Sequence, residues 1–112
     1  MTKKEQIEYL ATKVMGWRHE KVDAWIDPSG KHGENFNGYR SVIMNYGFKP
    51  LTDWNHFRWL EEKVLEDDEL VRKIFKAIPV QEYGMAGNYF RADLPTRVSA
   101  FISAHQELYG KS

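Results

Sequence analysis

The segment 89–97, "YFRADLPTR", holds the residue types from which an anion site is built. Arg91 and Arg97 flank the expected start of a helix after Pro95, and a helix start presents N–H groups without intrahelical partners. Those donors, the positive end of the helix dipole and two forked guanidiniums suit a phosphate held bidentately. Tyr89, Phe90 or Tyr83 is then available to stack on a base, with Tyr46 as a further aromatic candidate and Trp59 as an outlying one. The competing expectation is structural: Asp93 caps the helix and pairs with one of the arginines.

A second cluster is "PLTDWNHFRWL", residues 50–60. With Phe57 at the centre of a buried helix face, a step of about 100° per residue puts Trp54, Leu60 and Val64 within about 60° of it. These are expected core. Trp59 falls about 160° away, on the outward face beside Asn55, where a tryptophan is either a contact residue or covered locally. Arg58, one turn after Trp54, is placed to lie over its ring. Asp53 and His56 share the first turn, as half of a metal site or as a cap and its charge partner. A metal needs three or four ligands, and the chain has 4 histidines, so no metal is expected. His105 lies on an apolar helix face and reads as a hydrogen-bonded core histidine.

Other chemistries find no support. There is no G-x-G-x-x-G, no G-x-x-x-x-G-K-[ST] and no G-x-S-x-G, and no carboxylate spacing marks an acid–base pair. The chain has no cysteine, which removes disulfides and thiolate chemistry. Lys and Arg number 16, as do Asp and Glu; with zero net charge, extended nucleic-acid binding is not expected. No stretch approaches the roughly 20 apolar residues of a membrane span, and no signal peptide is apparent at the start. The expectation is a cytoplasmic protein with no membrane association and no cofactor, of 112 residues in a single domain.

The elements that must position these residues follow from pattern. Thr2-x-x-Glu5 is a capping box, Ile7, Leu10, Ala11 and Val14 recur at helical spacing, and Gly16 ends a helix over 3–15. Trp17, Val22, Trp25 and Ile26 are strand-prone and "DPSGK" is a turn. Residues 31–38 read as a loop and "YRSVIMNYGF" as a strand. A helix capped by Asp53 runs to about Leu65. Residues 66–69, "EDDE", cap and open a third helix, which Pro79 stops. "VQEYGMAGNYFRADL" reads as two short strands around "GMAGN". A last helix carries Val98, Phe101, Ala104, His105 and Leu108 on one face and ends at Gly110. The order α-β-β-α-α-β-β-α predicts an α+β fold, a small antiparallel sheet sandwiched by helices.

"LATKVMGW", "PLTDWNHFRWLEEKV" and "YFRADLPTRVSAFISAH" together resemble small bacteriophage and prophage proteins of the phage ABA sandwich domain family. The likeness runs from the first helix to the last, with gaps at 18–47 and 80–88. A Trp-Asn pair often precedes the proline in that family; Phe48-Lys49 stands there instead, so no role of that pair carries over. The resemblance implies a sheet between helices, a phage or prophage origin and a host-cell cytoplasm; it brings no activity or catalytic residues with it. Together with the residues, it leads to the expectation of a non-enzymatic accessory protein that binds and sequesters a small phosphate-containing, nucleotide-type ligand such as a host defence signal. The site residues would be Arg91, Arg97, Tyr89, Tyr46 and Trp59. The alternatives are a protein-interaction module, a homodimer or an inhibitor of a host protein using Trp59 and Tyr9, and a small hydrolase using His56 and Asp53.

Overall fold

The computed structural model describes residues 1–21, 24–32, 34–36, 40–44, 47–79 and 83–110. The chain is α+β and divides into two compact units, Met1–Lys49 and Pro50–Ser112.

The first unit opens with α1 (Lys3–Tyr9), whose capping box is formed in both directions between Thr2 and Glu5. Over Leu10–Val14 the helix widens to π form. Gly16 then takes φ +74, and the Trp17 N–H returns to the Ala11 carbonyl at 2.9 Å. That left-handed turn is what the glycine supplies. Four strands follow: β1 (Arg18–Lys21), β2 (Ala24–Asp27), β3 (Glu34–Phe36) and β4 (Arg40–Met44). They form one sheet in the order β1-β2-β4-β3, every pairing antiparallel. Trp25 pairs with Ile43 at its centre, and both side chains are buried. Trp17, Trp25 and Phe48 form an aromatic cluster, with Trp17 and Phe48 edge to face at 4.8 Å. The "DPSGK" turn is held by the buried Asp27 carboxylate, which accepts from Ser29 through one oxygen and from the backbone and ring of His32 through the other.

The second unit is helical: α2 (Trp54–Val64), α3 (Asp68–Ala77), α4 (Met85–Arg91) and α5 (Leu94–Tyr109). Asp53, Asp67 and Asp93 cap α2, α3 and α5, each accepting from N–H groups of the first turn. Phe57, Leu60, Ile74, Val98 and Phe101 make the core. Lys73 bonds Glu107 at 2.8 Å, and the Tyr109 hydroxyl donates to Asp67, tying α3 to α5 and its cap.

The α+β class with an antiparallel sheet is as the sequence order predicts, and two segments depart from that order. Within the expected loop 31–38, Glu34–Phe36 is a strand, because β4 supplies backbone partners that local polarity does not reveal. Of the two strands expected over 80–94, the second is overturned, since Met85–Arg91 is α4, entered through Gly84 at φ +83; residues 80–82 of the first lie outside the described residues. Gly87 inside that helix weakens its intrinsic helicity by about 1 kcal/mol relative to alanine, so the local pattern imitates a turn. The segment is held helical by partners outside it: the buried Tyr89 bonds Glu61 of α2, and Arg97 of α5 bonds the Phe90 and Ala92 carbonyls.

Candidate functional site

Arg97 does not reach for a ligand. Its side chain is buried, 6% exposed, and donates through Nε to the Ala92 carbonyl at 3.1 Å and through Nη2 to the Phe90 carbonyl at 3.0 Å. Those oxygens end α4 and would otherwise lack partners. The guanidinium also lies 4.5 Å from the Tyr89 ring and 4.9 Å from that of Trp54, and 3.8 Å from Glu61. The expected two-arginine phosphate clamp is therefore not formed. Arg91, at the end of α4, lies over the Tyr83 ring at 3.9 Å instead. Of the five expected ligand residues, Arg97 and Tyr89 come together, but as parts of the fold.

Tyr89 donates its hydroxyl to Glu61. Burial first, then that hydrogen bond, pushes its phenol far above the ordinary tyrosine range, so it stays neutral at all physiological pH. Its ring stacks parallel to Phe101 at 6.3 Å and lies 5.6 Å from Phe75. These rings wall a cavity of about 390 Å³ between α2, α3, α4 and α5. Val64, Leu65, Val71, Ile74 and Phe90 complete its apolar surface, and Arg58, Glu61 and Glu62 supply its charges. Volume and lining are those of a small-molecule site. Glu61 is committed to Tyr89, whereas Arg58 and Glu62 form no hydrogen bond or ion pair among the described residues.

A second, smaller cleft of about 290 Å³ lies where the end of α3, α4 and the start of α5 meet. Tyr83, Asn88, Arg91, Asp93 and Thr96 supply its polar lining, and Ile78 and Pro79 part of its apolar wall. Asn88 is 2% exposed; its Oδ1 accepts from the Tyr83 N–H at 2.9 Å, and its Nδ2 has no partner among the described residues. A buried amide donor left unpaired costs about 1–3 kcal/mol. Hydrogen bonds from the Thr96 side chain and then its backbone hold the Asp93 carboxyl below the usual aspartate range.

The remaining expectations are placed as follows. Tyr46 lies outside the described residues. Trp59 is half-buried rather than outward, with the His56 ring tilted against it at 4.6 Å; Tyr9 is also half-buried. Trp54, expected in the core, is 56% exposed. It is the first residue of α2 and projects past the end of the buried face, over Arg97 rather than under Arg58. Asp53 caps α2 as expected, and His56 Nε2 lies 3.8 Å from its carboxylate. Asp93 is the expected cap of α5, but no ion pair joins it to either arginine among the described residues. His105 is half-buried, 5.0 Å from the Tyr109 ring. Groups of three or more potential metal ligands do not occur among the described residues.

Sequence reasoning passed over Glu61, although it lies about 40° from Phe57 on the helical wheel. A carboxylate that close to the centre of a buried face is a readable signal of a specific partner. Asn88 has no such signal, since Gly84 and Gly87 give its segment the local pattern of a turn rather than of a helix. No family model matches the chain, and neither the curated proteins nor the solved structures include a significant match.

Proposed function

We propose that this chain is a non-catalytic binding protein and that the aromatic cavity of its helical unit receives a nucleoside or nucleoside monophosphate. The observation that carries the reading is the cavity of about 390 Å³ itself, walled by Phe75, Tyr89, Phe90 and Phe101 and edged by Arg58 and Glu62, neither of which forms a hydrogen bond or ion pair among the described residues. A flat heteroaromatic base fills such walls by stacking, Arg58 meets the phosphate, and Glu62 accepts from an amino or hydroxyl group. One cation against two carboxylates disfavours a polyphosphate. Binding is favoured over catalysis because Glu61 is held by Tyr89 and the Tyr89 phenol is far from titrating near neutrality. A phage or prophage accessory role, sequestering a nucleotide-type signal in the host cytoplasm, rests on the resemblance of the helical segments to small phage proteins.

Calorimetry with adenosine, AMP, a cyclic dinucleotide and ADP-ribose tests the reading. AMP is expected to bind, and Arg58→Ala to weaken AMP by about tenfold while leaving adenosine unchanged. Absence of binding across the panel removes the proposal.

A second reading, a protein-interaction surface, is favoured by the exposure of Trp54, Leu65, Tyr83 and Phe90 in the same unit, Phe90 being 70% exposed. Trp59 and Tyr9 are not its anchors, since both are half-buried. Light scattering on wild type and Phe90→Asp decides it: a dimer lost in the variant supports this reading, and a monomer in both removes the homodimer form of it.

A further inference from the structure

The cleft bordered by Tyr83, Asn88, Arg91 and Asp93 has an electrostatic pattern that neither a simple anion nor a simple cation satisfies. Among its described lining residues it holds one cation, Arg91, and one carboxylate, Asp93, and no ion pair joins them. The Arg91 guanidinium carbon lies 3.9 Å from the centre of the Tyr83 ring, and its N–H donors make no hydrogen bond or ion pair among the described residues. The Asn88 carboxamide cannot turn over without losing the bond from the Tyr83 N–H, so the end without a partner is the donor end. Asp93 accepts from the Thr96 N–H through Oδ1 and from the Thr96 hydroxyl, and a carboxylate with about four lone-pair sites keeps acceptor capacity beyond those two bonds. A phosphate dianion would meet Arg91 favourably and Asp93 unfavourably; a simple amine would meet the reverse.

We propose that this cleft is a second ligand site, for a small zwitterion with the constitution of a free α-amino acid. Its carboxylate is taken by Arg91 and Asn88 and its ammonium by Asp93, and the wall formed by Ile78 and Pro79 receives a short aliphatic side chain. The volume of about 290 Å³ lies at the lower end of ligand-site sizes, in keeping with a ligand that small. The proposal is independent of the aromatic cavity, whose described lining residues are all different from those of this cleft.

Calorimetric titration of the full chain with L-valine, acetate, methylamine and inorganic phosphate tests it. L-valine is expected to bind saturably, at least about tenfold more tightly than acetate or methylamine, with phosphate weaker still and AMP unable to displace it. Arg91→Ala should abolish L-valine binding. Asp93→Asn keeps a competent helix cap and should lower L-valine affinity to the level of acetate, while circular dichroism stays unchanged. The proposal is overturned if phosphate or acetate binds as tightly as L-valine, if L-valine and L-leucine both fail to bind at millimolar concentration, or if Asp93→Asn, still folded, binds L-valine as well as wild type.

Discussion

Arg97 is the residue whose role differs most from its expectation. Two carbonyl acceptors at the end of α4 and three aromatic faces surround one guanidinium. The planar fork is what lets one side chain serve two carbonyls, and an ammonium on a flexible stem does not reproduce it. Arg97→Lys is therefore expected to lower unfolding free energy by about 2 kcal/mol or more, read from urea denaturation; an unchanged midpoint would show that the two carbonyls do not depend on the fork. Tyr89→Phe keeps the ring stack on Phe101 and removes only the hydroxyl donated to Glu61. A loss of about 1 kcal/mol is expected by the same measurement. Both residues were recognisable in the sequence as aromatic and cationic candidates. Their inward orientation was not, because it depends on where α4 ends, and the local sequence of α4 has the pattern of strand and turn.

Among the elements, α1, α2, α3 and α5 were legible from caps and periodicity. Thr2, Asp53, Asp67 and Asp93 mark their starts, Gly16 follows the π turn that extends α1, and Pro79 and Gly110 lie at or just beyond the ends of α3 and α5. Those signals are local, so the sequence carries them whole. The strand β3 and the helix α4 are short, polar or glycine-containing, and each is held by partners outside its own segment, β4 for one and Arg97 for the other. The same limit hid the aromatic cavity, whose walls come from four helices. Gly16 offers a clean test at this scale. An added Cβ meets nothing within 4 Å, so Gly16→Ala isolates the backbone cost of φ +74. Thermal unfolding is expected to show a loss of about 1 kcal/mol, and Gly16→Asn a smaller one.

For the whole molecule, stability depends on acid through carboxylates that accept hydrogen bonds, among them three aspartates. At Asp27, burial raises the carboxyl pKa, and hydrogen bonds from Ser29 and His32 outweigh it and leave the group below the ordinary value of 3.8. Asp67 is lowered first by the Tyr109 hydroxyl and then by the Leu70 N–H, and Asp93 by Thr96. Each group releases its proton more readily when folded, so the unfolded chain binds more protons in this range and stability rises with pH. The contribution is complete above the unfolded carboxylate range, at about pH 5, and is lost as pH falls through the lower folded values. Urea midpoints should be flat from neutrality to about pH 5 and drop steeply below about pH 4; Asp27→Asn should flatten the drop. Binding is the larger claim, and amide NMR titration of the labelled chain with AMP tests it most directly. The predicted result is saturable shifts concentrated at Arg58, Glu61, Val71, Phe75 and Phe90, around the aromatic cavity of the helical unit. Shifts confined to other residues, or no saturable shift, would contradict it.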